Sequence, residues 1–287
     1  MIKIMADSTC DLSSEIVEHY NIGIAPLKIN IGEDSYRDKI DLSADKFFER
    51  LPGLKELPTT SMPSPEEYLA IIDEAIEQGY TEFLCICMSS GTSGSYQSAV
   101  LAKELFYDLY PQSPIKIHIV DSLSMSHGSG WLILKSAQLL ESGYSFEALI
   151  DFNESHKKQV KHFLCVEDLK NLIKSGRISN TGAFVGSLLR VKPIMSMKQG
   201  KGAIVAKVRG TNKALKYYVD EFVKRKHDGL TNFVIVGYSS SIDIAHQLKE
   251  RIETQTDFKG IIHLMQMGAV VGTHVGLNGV SLFFMEK

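Results

Sequence analysis

Three hydroxyl-rich segments of this chain could hold an anion: Asp7-Ser8-Thr9, Thr59-Thr60-Ser61 and Ser89-Ser90-Gly91-Thr92-Ser93-Gly94-Ser95. Serine and threonine supply hydrogen-bond donors without bulk. The third segment is the most informative, because glycines let the backbone approach a ligand and a helix follows it. A helix N-terminus offers free N–H groups and a partial positive charge, which suits a phosphate or a carboxylate. The same residues also fit an ordinary capped βα loop whose serines bond only to local backbone.

Two catalytic or nucleotide readings compete for the third segment. It lacks the glycine-lysine pair of a P-loop, and its glycines do not follow the dinucleotide fingerprint. Ser93, His274 and Asp121 supply the residue types of a hydrolase triad acting on acyl esters. Yet Gly91-Thr92-Ser93-Gly94-Ser95 ends in serine where a nucleophile elbow has glycine. Asp121 also suits a turn or cap before the next helix. His274 sits among small residues, in Gly272-Thr273-His274-Val275-Gly276, so a ligand could approach it closely. Arg177 and Arg209 each lie beside an element end, where a cation serves either an anion or the free carbonyls of a helix.

The elements that must position these groups alternate between short apolar runs and helical patterns, which predicts an α/β protein. Ile2 to Met5, Phe83 to Met88 and Ile115 to Val120 read as strands. Ser64-Pro65-Glu66-Glu67 opens a helix with a capping box and proline at the first helical position. Ser95 to Tyr110, Trp131 to Leu140 and Phe146 to His156 are further helices. Beyond these, Val191 to Met197 and Ala203 to Val208 flank Gln199-Gly200-Lys201-Gly202, a β-hairpin with a glycine turn. Thr211 is placed as the cap of a helix running to about Lys226. The expected organisation is a mostly parallel N-terminal domain, 1–158, and a mixed α/β C-terminal domain, 159–287. A chain of 287 residues accommodates two domains.

Composition narrows the function. Hydrophobic residues are 44% and charged residues 23%, ordinary for a globular protein. A net charge of −3 and a pI near 6.3 give no general grip on nucleic acid or an anionic membrane, so at most transient membrane contact is expected. Cys10, Cys85, Cys87 and Cys165 match neither a redox pair nor a zinc site, and no metal is expected. The N-terminus runs straight into a strand pattern, and no apolar stretch approaches a membrane span, so a reduced cytoplasmic setting is the expectation.

The chain resembles the DegV family of bacterial fatty-acid-binding proteins over nearly its full length. The segments that carry the likeness are Asp7-Ser8-Thr9-Cys10-Asp11-Leu12, Thr60-Ser61-Met62-Pro63-Ser64, the segment from Ser89 to Ala99, Val120-Asp121-Ser122, Gly176-Arg177-Ile178 and Lys192-Pro193-Ile194. The resemblance implies a lipid carrier rather than an enzyme, with no cofactor and one long-chain fatty acid as ligand. It implies that the carboxylate meets Thr60 and Ser93, with Ser61 and Gly94 in the same site and His274 near the head group. It further implies a separate ATP-dependent fatty acid kinase that makes an acyl phosphate for phospholipid synthesis, with Arg177 and Arg209 available for partner docking or anion contact. The family usually follows its histidine with glycine, proline and glycine. Here Val275-Gly276-Leu277-Asn278 departs from that pattern, as does Met62 where glutamine is common.

Overall fold

A computed structural model describes residues 1–179 and 191–287 of the chain. Its first sheet is wholly parallel, with strands Gly23–Ala25, Ile2–Asp7, Glu82–Cys87 and Lys116–Asp121 side by side in that order. The central strand carries Phe83 to Cys87, all buried, as a parallel strand covered on both faces requires. Helices Pro65–Glu77 and Ser95–Leu109 lie on one side. The first begins with the expected capping box, in which the Ser64 N–H donates to Glu67 Oε2 at 2.7 Å.

The second sheet is mixed and has seven strands, in the order Ile261–Gln266, Phe233–Tyr238, Val280–Met285, Val160–Cys165, Val191–Lys198, Lys201–Arg209 and Ile178–Ser179. The hairpin turns at Gln199 and Gly200, whose φ angles of 52° and 73° give the double left-handed bend that matches strand twist. The helix after the hairpin spans Thr211–Arg225, but its cap is Gly210 at φ 80°, not Thr211, which is already the first helical residue.

A third sheet was not legible in the pattern. Strands Asp34–Arg37, Lys28–Ile31 and Thr59–Ser61 form a small antiparallel unit, with Thr60 paired to Ile29. Strands of three or four residues carry too few alternations to show a period.

Helix His127–Glu141 joins the two large sheets. Ten of its residues are buried, including the run His127 to Leu134, so it has no solvent face over its first half. Trp131 is fully buried and stacks on Phe233 at a centroid distance of 4.9 Å, while its Nε1–H donates to Phe233 O at 3.3 Å. One apolar cluster therefore runs from Ile4 and Leu84 of the parallel sheet through Trp131 to Ile235 and Phe283 of the mixed sheet.

Candidate functional site

The small antiparallel sheet delivers Thr60. Alternation along Thr59–Ser61 turns Thr60 inward, half-buried, and leaves Thr59 and Ser61 exposed. Thr60 Oγ1 lies 3.1 Å from His274 Nε2. His274 rides on helix Ala269–Val275, about two turns of small and β-branched residues for which the hydrophobic pattern predicts no element. Small side chains are needed there, because a Cβ on Gly272 would sit 2.6 Å from the Phe48 ring. The residues that depart from the family pattern follow directly: Gly276 ends the helix at φ 76°, its N–H donating to Gly272 O at 2.8 Å.

Burial and then the nearby Arg177 cation push the His274 pKa down to about 4. The ring is neutral at neutral pH, with one N–H donor and one acceptor nitrogen. Its Nδ1 is buried and has no hydrogen-bond partner among the described residues.

Ser93 stands in the loop before helix Ser95–Leu109. Its Oγ accepts from the Ser95 N–H at 3.2 Å and lies 2.9 Å from Ser95 Oγ. Arg177 follows helix Lys170–Lys174; its Nε donates to Thr92 O at 3.3 Å and its Nη1 to Ser175 O at 2.5 Å. The helix-end contact is thus real, and the side chain also reaches the site. Thr9, from the first hydroxyl-rich segment, is buried and donates to Asp7, which also accepts from the Met88 N–H at 2.9 Å.

Thr9, Thr60, Thr92, Ser93, Arg177 and His274 line one pocket with about 50 Å³ of free volume, with Met88, Met125 and Val270 among its apolar walls. A second, nearly closed cavity of about 20 Å³ shares Met125, Val271 and Val275 with the first and is walled mainly by Met195, Met197, Met267 and Leu164, which would have to move apart to admit a chain. A polar mouth therefore backs onto an apolar chamber. Flexible thioether side chains in such a wall adapt to the shape of what fills it.

The structure separates other expected residues from this mouth. Ser61 faces outward, and Gly94 is the helix cap, covered by Met62; a Cβ there would lie 2.1 Å from Met62 Sδ. Arg209 is exposed and borders a different surface hollow, beside Lys192 and Thr211. Asp121 does not orient His274. Its Oδ1 accepts from the Ser90 and Leu123 N–H groups, and its Oδ2 from the Ser90 hydroxyl at 2.5 Å. The hydrolase triad is not assembled, because its acid is spent on the turn and His274 Nδ1 meets no carboxylate among the described residues. Thr9 and Thr92 belong to the hydroxyl-rich segments but were not among the expected ligand contacts, whereas Arg177 was expected as an anion contact or a docking residue. Met125 and Val271 left no signal, since an apolar residue in a wall looks like one in a core. Among the described residues no group of three or more His, Cys, Asp or Glu side chains could hold a metal ion, and no helix is long and apolar enough to cross a membrane.

A parallel and a mixed sheet joined through one buried helix, with a polar-mouthed apolar cavity, define a two-domain α/β architecture. A family model described as an uncharacterised protein of the DegV family matches residues 1–287, and the chain belongs to that family. A DegV domain-containing protein of Clostridium perfringens is 34% identical over 288 residues, covering 100% of this chain and 99% of the relative. Among solved structures, a stearic-acid-binding protein from Eubacterium ventriosum is 30% identical with a TM-score of 0.85, covering 100% of this chain and 99% of the other. A fatty-acid-binding DegV family protein from Thermus thermophilus is 27% identical with a TM-score of 0.87, at the same coverage.

Proposed function

We propose that this chain binds one long-chain fatty acid, its carboxylate at the mouth formed by Thr60, Ser93 and His274 and its acyl chain in the methionine-lined chamber behind. The observation that carries this reading is the shared wall of Met125, Val271 and Val275, which joins a polar cavity to an apolar one. A carboxylate taken out of water needs charge-assisted hydrogen bonds, and hydroxyls with a neutral imidazole and a nearby guanidinium supply them. Burial of an acyl chain contributes roughly 0.8 kcal/mol per CH₂, so the chain supplies most of the affinity and the mouth sets orientation. The stearic-acid-binding and fatty-acid-binding relatives support the same ligand class.

In this reading the protein is a carrier. It presents the carboxylate to a separate ATP-dependent fatty acid kinase in the cytoplasm, and the acyl phosphate formed there feeds phospholipid synthesis. Arg177, at the mouth, acts on the ligand anion; exposed Arg209 is the better candidate for docking the partner. Ser61 and Gly94 act through the backbone segments that hold Thr60 and Ser93.

The test begins with organic extraction of the purified protein and mass spectrometry of what is released. A stoichiometric C16–C18 fatty acid is expected. No extractable fatty acid, together with no binding of added palmitate or oleate by the delipidated protein, refutes the reading. ATP-dependent acyl phosphate formation that requires both this protein and a fatty acid kinase tests the carrier role separately.

A further inference from the structure

Thr60 and His274 stand 3.1 Å apart at the mouth but lie 214 residues apart in the chain, one on the small sheet and the other on helix Ala269–Val275. A helix shares no hydrogen-bond ladder with a sheet, so side chains must set the distance between these two elements. Apolar packing supplies part of the answer: Ile29, the strand partner of Thr60, shares a cluster with Phe47, Ala269 and Val270. Such contacts are non-directional and do not fix a distance by themselves.

One polar junction crosses the same seam. Asp38 follows strand Asp34–Arg37 and is 1% exposed, a buried carboxyl that does not line the mouth. Its Oδ2 accepts from the Ser8 hydroxyl at 2.8 Å. Ser8 Oγ accepts from the Leu27 N–H at 3.1 Å, and the Asp38 N–H donates to Leu27 O at 2.8 Å, which closes a ring. Leu27 lines the mouth and leads into strand Lys28–Ile31, where Ile29 faces Thr60. The ring therefore fixes the base of the small sheet against the end of strand Ile2–Asp7.

The same carboxyl faces the start of the His274 helix. A Cβ on Gly268 would lie 3.4 Å from Asp38 Oδ2 and 3.5 Å from Oδ1, and the N–H groups of Ala269 and Val270 act on the carboxyl. Oδ1 makes no close hydrogen bond among the described residues, so this second contact is an attraction between a carboxyl oxygen and the free N–H groups of a first helical turn. Asp11 also holds the helix start, its Oδ1 accepting from the Gly268 N–H at 2.8 Å, but its other oxygen goes to Ser126 and not to the small sheet.

We propose that Asp38 is a positioning residue for the ligand carboxylate: it holds the small sheet through Ser8 and the His274 helix through its first N–H groups, and so sets the distance between Thr60 and His274. This rests on the fatty-acid reading of the mouth. Asp38→Ala should weaken palmitate binding by roughly ten-fold. Ser8→Ala breaks the ring alone, and Asp38→Asn leaves one accepting oxygen for two sets of donors, so each should cost roughly three-fold.

The experiment is a double-mutant cycle read by titration of the delipidated full-length protein. On a Thr60→Ala background, Asp38→Ala should cost less than about three-fold, because the distance it sets no longer has both partners. A residue that only stabilises the fold would cost the same factor on either background. If Asp38→Ala does not fold, the cycle is run with Ser8→Ala, which keeps the buried volume. A second readout needs no ligand. The His274 ring resonances, assigned by their loss in His274→Gln, should move in Asp38→Asn and Ser8→Ala as they do in Thr60→Ala. Equal losses on the two backgrounds, or His274 resonances that stay in place in Asp38→Asn, overturn the proposal and leave the ligand assignment standing. Absence of palmitate binding by the wild-type protein overturns the ligand assignment, and the role of Asp38 towards a carboxylate with it.

Discussion

At the scale of single residues, the mouth is a set of weak donors that become strong when an anion is enclosed. Thr60 already has a partner in His274, and Ser93 one in Ser95. A bound carboxylate would recruit both hydroxyls as charge-assisted donors, each contributing about 1.5–3 kcal/mol. Thr60→Ala and Ser93→Ala should each weaken palmitate binding by roughly 10-fold to 100-fold, measured by titration of delipidated protein. The double variant should lose less than the product of the two, because both donors serve one carboxylate. Wild-type affinity in the double variant would remove the carboxylate from this mouth. Arg177→Glu reverses the cation beside the same site. A drop in fatty-acid affinity is expected; impaired kinase coupling at unchanged affinity would instead make Arg177 a docking residue.

At the scale of elements, helix Ala269–Val275 does most to shape the cavity, and like the small antiparallel sheet it is an element that patterning failed to find. Seven residues hold less than two helical periods, and Gly268, Gly272 and Gly276 mark loops as readily as a tight helix. The long apolar elements were legible because their hydrophobic period repeats several times. Thr60 and Ser93 were legible for another reason: hydroxyls clustered beside element ends have few core roles, so they stand out even when their partners do not. Asp121 shows the opposite case, since an acid beside a strand end looks the same whether it braces a turn or orients a histidine. The packing of the helix gives a direct test. Gly272→Ala drives a Cβ to 2.6 Å from Phe48 Cζ and 3.0 Å from Phe47 Cε1. Overpacking of this kind costs about 1–3 kcal/mol. Helix Ala269–Val275 should shift off the Phe47–Phe48 pair, lowering both the melting temperature and the fatty-acid affinity. A lowered melting temperature with unchanged affinity would mean that His274 and the valines keep their places without that contact.

At the scale of the whole molecule, the division expected near residue 158 leaves each large sheet a core of its own, with Tyr68 and Phe106 in one and Tyr218 and Phe222 in the other, and a third cluster between them. Trp131 lies on a helix before that division and stacks on Phe233 after it, inside one cluster that draws residues from both sheets. Two buried histidines stand in the same layer. His127 and His162 both lie edge-on to Phe283, and burial pushes each down to about 3 from 6.5. Each favours the folded state while neutral, so their contribution is complete above about 6.5 and is lost as pH falls from there towards 3. The carboxyls of Asp7, Asp11 and Asp38, all raised by burial, work in the opposite sense. If this middle layer holds the two halves as one cooperative unit, Trp131→Ala should cost about 3–5 kcal/mol and lower one common transition, not that of one half alone. Calorimetry, with near-UV dichroism and amide exchange recorded on strands Ile2–Asp7 and Val280–Met285, should show the two sheets melting together in wild type and variant. Separate transitions for the two sheets in the wild-type protein would mean that the Trp131 layer is an interface between independent domains, and the cavity would then open by parting them.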